Sequence, residues 1–294
     1  MTVPIDTNPF LFHWVREEQG YEWVQGVDSK LRLVARVGAA ARRGKLVRHA
    51  PLLDDRLFEK FADLKPTRVN IQRFADRYGN LFDRYGAATA VRRRPGRYRI
   101  SQLHGPSFRK WKSEIQRMRT LVGIWRAIKT GRKRDLERVI IWQGTDTVGY
   151  KLEWSDAFIA TPRSNPHLLQ RFKAPDVVRP AMYLLQAEIN NRIANPSSES
   201  FLSIIPRLVW CPGPRIEGVV KPDHHQRLIF EPTNLLAAIW LQFARAVTEG
   251  YQLQTCAGCG EYFQVGKGAR RSHTKTCSAK CRKRVSRKNR DESW

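Results

Sequence analysis

Two periods of hydrophobicity alternate along the chain. Residues 12–27, FHWVREEQGYEWVQGV, mix aromatic and β-branched positions with turn-forming Gly20 and Gly26, and residues 30–38, KLRLVARVG, alternate polar with apolar. Alternation puts every second side chain on one face, so both stretches predict short strands, the second half-buried. The period then lengthens. In DDRLFEKFADL, Leu57, Phe58 and Phe61 stand at helical spacing before the stop at Pro66, and Thr67 is placed to cap a second helix through Ile71, Phe74 and Tyr78. The clearest helix runs from Ser107, its predicted N-cap, to Gly131, its predicted C′ residue. Phe108, Trp111, Ile115, Met118, Val122, Trp125 and Ile128 recur along it every three or four residues. Arg109, Lys110, Lys112, Arg119, Arg126 and Lys129 form its opposite face. Trp111 and Trp125 share the apolar face and therefore read as core rather than as base-stacking platforms.

Strand-like runs return in RVIIWQG and VGYKLEW, Met182 to Ile193 reads as helix, and IIPRLVW with QRLIFEP reads as a hairpin. PTNLLAAIWLQFARAVTEG predicts a helix with Pro232 near its start and Gly250 past its end. The sum is an α+β chain: a mixed sensing or assembly domain over residues 1–250, followed by a small module over 251–294. Without close packing or a metal, a module of that size has too little core to fold.

Charge changes this picture from a generic globular protein to a polyanion partner. The 294 residues carry 53 Lys/Arg against 27 Asp/Glu, a formal net charge of +26. Residues 91–138 hold sixteen Lys/Arg and three Asp/Glu, and residues 256–294 hold eleven and three. Such fields attract nucleic acid first and anionic membrane second. No apolar run approaches the roughly 18 residues of a membrane span, so no membrane-spanning partner role is expected. The opening MTVPIDTNPFLFHW has no basic stretch followed by a long apolar core, which with the cysteine usage predicts a reduced, cytoplasmic setting.

Four of the five cysteines fall in the second of these basic segments, as C-x2-C-x17-C-x3-C on Cys256, Cys259, Cys277 and Cys281. Four thiolates at this spacing match a closed, structural Zn2+ site. Cys277 and Cys281 lie four residues apart and so share a helix face, while Gly260 allows the Cys256–Cys259 knuckle to turn. The order predicts a treble-clef-like finger: a knuckle, a hairpin over about 261–276, then a helix. His273 is a substitute ligand on the hairpin, an iron–sulfur cluster is the alternative metal group, and Cys211 lies outside the cluster. A four-thiolate site leaves no open position for a reactive water.

The metal would hold a helix bearing Lys280, Arg282, Lys283, Arg284, Arg287, Lys288 and Arg290, charges that would otherwise repel one another. Such a helix suits a DNA groove, with Arg better fitted than Lys to guanine edges. Arg270 and Arg271 add charge before it. Arg92, Arg93, Arg94, Arg97 and Arg99 read as a phosphate-tracking loop, with Tyr98 as a single stacking candidate.

LLAAIWLQFARAVTEG, LQTCAGCGEYF, the Arg270–Arg271 pair and TCSAKC with its basic tail resemble, in that order, the CGNR-type zinc fingers that end the bacterial ABATE proteins. The likeness covers about residues 230–290. Arg-Lys-Arg follows Cys281 in place of the CGNR tetrapeptide, and the second cysteine pair is spaced one residue closer, so the resemblance points to a sister group. It implies a zinc-dependent, DNA-binding transcription regulator, with the larger domain for sensing or assembly.

Enzyme motifs are absent: no G-x-x-x-x-G-K-[ST], G-x-G-x-x-G, H-E-x-x-H or G-x-S-x-G occurs. Asp223, His224 and His225 read as a polar hairpin tip, and Glu153, Asp156, Glu188 and Glu217 show no catalytic spacing. The expectation is a zinc-dependent nucleic-acid-binding protein, DNA favoured over RNA, as a homo-oligomer or within a larger nucleoprotein complex. An RNA-binding or phage-defence assembly role is the alternative, with a metal-dependent nuclease behind it.

Overall fold

A computed structural model of the chain describes residues 13–26, 28–36, 46–54, 56–82, 106–144, 147–152, 158–160, 172, 174–194, 204–210, 215–216, 219–220, 226–248, 252–258, 262–265 and 274–291. The architecture is α+β, helices with small antiparallel sheets. The chain divides into two compact units, Met1–Arg119 with Ala187–Phe243, and Thr120–Gln186 with Ala244–Trp294.

In the first unit, β1 (Trp14–Glu17) pairs with β4 (Leu46–His49), and β2 (Tyr21–Gln25) pairs with β3 (Leu31–Ala35). The predicted strands form, but β1 skips its sequence neighbour. Helices α1 (Leu57–Ala62) and α2 (Arg68–Tyr78) follow, and Thr67 caps α2 as expected, its hydroxyl accepting from the Asn70 amide at 3.3 Å. The hairpin of β8 (Ile204–Trp210) and β11 (Gln226–Pro232) forms with Ile205 opposite Glu231, and two short strands, β9 (Arg215–Ile216) and β10 (Val219–Val220), pair between them.

Helix α3 (Phe108–Thr130) buries Trp111, Ile115, Met118, Val122 and Trp125, the predicted stripe. Ser107 caps its start, accepting from the Lys110 amide at 3.2 Å. Its polar face is not uniformly solvated, however. Arg119 turns back and donates to the carbonyls of Ala62 and Leu64, at 2.7 and 2.9 Å, supplying the partners that the end of α1 lacks. Lys110 rests over the Phe82 ring, 4.4 Å from its centre.

The first unit is closed by the end of α5 (Val178–Ala194) and by α6 (Leu235–Thr248). From Leu235 to Phe243 every α6 residue except Gln242 is buried, the all-round burial of a central helix. Its N-cap is Asn234, whose side chain accepts from the Ala237 amide at 2.8 Å; Pro232, expected near the helix start, still belongs to β11. Gln242 accepts from the Phe58 amide at 2.9 Å and donates to the Asp54 carbonyl at 2.7 Å, so it closes the start of α1. Arg192 binds Glu114 at 3.2 Å and Glu188 at 3.3 Å, Arg117 binds Glu188 at 3.0 Å, and the Arg192 guanidinium stands 5.4 Å from the centre of Trp240. Burial pushes the Glu114 carboxyl above its ordinary range, with Arg117 and Lys110 pulling against it.

The second unit contains the end of α3, then α4 (Lys133–Val139), a helix the sequence pattern did not announce. Next comes the three-stranded meander β5 (Ile140–Gln143), β6 (Thr147–Lys151) and β7 (Phe158–Ala160). Leu136, Ile140, Val148 and Tyr150 fill its core, and the Trp142 indole donates to the Asp176 carbonyl at 2.8 Å. The cysteine cluster belongs to this unit. Among the described residues no helix is long and apolar enough to cross a membrane.

Candidate metal centre

Strand β12 (Gln252–Thr255) runs into the Cys256 turn and pairs antiparallel with β13 (Tyr262–Val265), Thr255 lying opposite Tyr262. The first cysteine therefore sits at the tip of a hairpin. Residues 262–265, expected to open a hairpin over about 261–276, pair with the strand that precedes the knuckle, and residues 266–273 of that expected hairpin lie outside the described residues. The polar stretch 274–278 then leads into α7 (Ala279–Asp291).

Three sulfurs meet at this junction. The ligand atoms of Cys256, Cys277 and Cys281 all lie within 4.8 Å of one another, and those of Cys277 and Cys281 are 3.6 Å apart. Sulfurs arranged tetrahedrally around one ion at about 2.3 Å would stand roughly 3.8 Å apart, so the three thiols can hold a metal ion. Cys256 is buried and the other two are half-buried, in a small cluster of their own. The backbone amides of Cys277 and Gly258 donate to the Cys256 sulfur, at 3.2 and 3.4 Å. Donors aimed at sulfur suit a thiolate, the form that ligates metals.

Local sequence explains the arrangement. Ser278 is the N-cap of α7: its hydroxyl accepts from the Cys281 amide at 3.2 Å, its carbonyl from the Arg282 amide at 3.0 Å. The cap fixes where the helix begins and hence which face carries Cys281. The Ala257 amide donates to the Lys275 carbonyl at 2.9 Å, tying the knuckle to the segment before the helix. Gly258 is the contact that sequence reading missed in favour of Gly260. A Cβ on it would stand 2.8 Å from Cys281 Cβ and 2.9 Å from the Cys281 carbonyl oxygen. Gly260 and Cys259, the fourth predicted ligand, lie outside the described residues, as do His273, Cys211, Asp223, His224 and His225.

On α7, Cys281 and Val285 are half-buried, one turn apart, and face inward. Lys280, Arg282, Lys283, Arg284 and Arg287 are exposed. Lys280, Lys283 and Arg287, spaced i, i+3 and i+7, form the outermost stripe, with Arg282 and Arg284 on its flanks. Lys288 and Arg290 continue the helix, and their side chains are not described. Arg270, Arg271, Arg92, Arg93, Arg94, Arg97 and Arg99 lie outside the described residues.

No family model, curated protein or solved structure matches the chain.

Proposed function

We propose that this chain is a zinc-dependent nucleic-acid-binding protein, a DNA-binding transcription regulator whose basic helix is held in place by a structural zinc. One observation carries the reading: α7 turns its cysteine face inward onto the sulfur cluster and presents five exposed cations outward. A short helix with that much like charge repels itself in isolation. Anchored at its first turn by sulfur–metal bonds, it becomes a rigid rod. An α-helix fits the DNA major groove, phosphates neutralise its flanking cations, and arginine can pair with guanine edges.

Zinc is the ion we assign, because an all-thiolate donor set suits it and the sequence supplies a fourth thiol, Cys259, three residues after Cys256, to complete that set. With four sulfurs bound the ion has no site for substrate, so its contribution is folding energy rather than catalysis. The resemblance to CGNR-type fingers supports the same reading.

The test is a titration of the purified, zinc-loaded chain against labelled duplex DNA at several salt concentrations, with structured RNA as competitor. Binding should weaken steeply with salt, the log–log slope being negative by about 0.9 for each phosphate neutralised. Absence of binding at low salt would remove the reading. Preferential displacement by RNA would replace DNA with RNA as the partner.

A further inference from the structure

Helix α3 ends at Gly131, whose φ of +67° is a left-handed conformation that side-chain-bearing residues rarely adopt. The Arg132 amide bonds back to the Ala127 carbonyl at 3.0 Å, and α4 starts one residue later. This sharp reversal brings the last turn of α3 and the whole of α4 together at one surface corner. Only Leu136 of α4 is buried. Lys129, Arg132, Lys133, Arg134 and Arg138 are all exposed. Lys133 meets Glu137 at 3.6 Å, a loose pair with both side chains about half exposed (60% and 49%). Lys129, Arg134 and Arg138 have no acidic partner among the described residues. Arg134 and Arg138 are one helical turn apart, on the same side of α4.

We propose that this α3–α4 corner is a second phosphate-contacting surface, for the backbone of the same nucleic acid that α7 binds. The inference rests on the function proposed above and adds a second zone within the finger's own compact unit. Its chemistry is that of backbone contact rather than base reading. Between Lys129 and Arg138 the chain carries no aromatic residue to stack on a base, so these cations neutralise phosphates without discriminating sequence. Five cations against Asp135 and Glu137 leave the corner positive. It belongs to the basic stretch 91–138 that the sequence singled out, but not to the arginine-rich loop at 92–99 within it.

The experiment uses the full, zinc-loaded chain and a duplex of about three helical turns, with affinity measured across salt concentrations. In the triple variant Lys129→Ala/Arg134→Ala/Arg138→Ala, the log–log slope should become shallower by about 2 to 3, and affinity at low salt should fall roughly tenfold or more. Zinc content should stay unchanged. The complementary variant Asp135→Asn/Glu137→Gln should bind more tightly, which guards against a loss caused by misfolding of the first. A slope identical to that of the parent chain in both variants overturns the second surface while leaving the finger's role intact. Failure of the parent chain itself to bind duplex overturns both readings. Equal displacement of the DNA by polyglutamate of matched charge, lost in the triple variant, would assign the corner to an acidic protein instead and overturn its assignment to phosphate.

Discussion

Gly258 and Cys281 touch across the candidate metal centre so closely that nothing larger than hydrogen fits on Gly258: a Cβ would come within 2.8 Å of the Cys281 Cβ. The contact sets the distance between the knuckle and the helix, and with it the separation of the sulfurs. Gly258→Ala should push α7 away from Cys256 and weaken metal binding by about 10- to 100-fold, the scale seen when support around a metal ligand is lost. Competition with a chromophoric zinc chelator measures this, and unchanged affinity would show that the contact is dispensable.

Cys277 supplies both a sulfur and the amide that donates to Cys256. Replacing it with serine keeps the amide and removes the ligand. Cys277→Ser should release the metal and cost most of the DNA affinity, and chelation of the parent chain should give the same loss. Elemental analysis alongside the binding titration checks the pairing of the two effects; one metal ion per chain retained in the variant contradicts the ligand assignment.

Arg192 binds two largely buried acids at once, Glu114 and Glu188. Arg192→Met fills similar space but takes the guanidinium away from both carboxylates. Breaking a buried network on one side costs about 3–5 kcal/mol. Urea unfolding should show a loss of that size. A change below about 1 kcal/mol would mean that water or rearrangement replaces the arginine.

His49 gives the first unit an acid limit. Burial, then the nearby charge of Arg16, holds its imidazole below the ordinary value of 6.5. Because the folded value lies below the unfolded one, the unfolded chain takes up the proton first. The part of the stability that depends on a neutral His49 is therefore fully present above pH 6.5 and is lost progressively as the pH falls from there toward the depressed folded value. His49→Gln should flatten that part of the stability curve, measured by denaturant titration from neutral pH down through the acid limb. A parallel acid limb in both proteins would exclude His49 as its cause.

Local features were legible in the chain alone. The apolar stripe of α3 and the Ser107 and Thr67 caps each depend on residues a few positions apart, and the two strands of the β8–β11 pair were readable from their own apolar runs, although Trp210 and Gln226 meet across a long connection. The cysteine cluster was legible too, because ligand spacing is itself written along the chain. Three of its four members do converge. Hydrophobic pattern did not reveal α4, whose seven residues bury a single side chain.

Sequence by itself thus determined most of the stretches that coil or extend, that thiols are concentrated in one short segment, and that excess positive charge is concentrated in two. Tertiary structure alone decided that β1 bonds to β4, that Gln242 closes the start of a helix 184 residues earlier, that Arg119 serves α1 rather than solvent, and that Gly258 must be small. The physical reason is common to all four. Orphan amides and carbonyls, strand edges and close backbone approaches are satisfied by whatever the folded chain brings near, and no period in the sequence encodes which distant residue that will be.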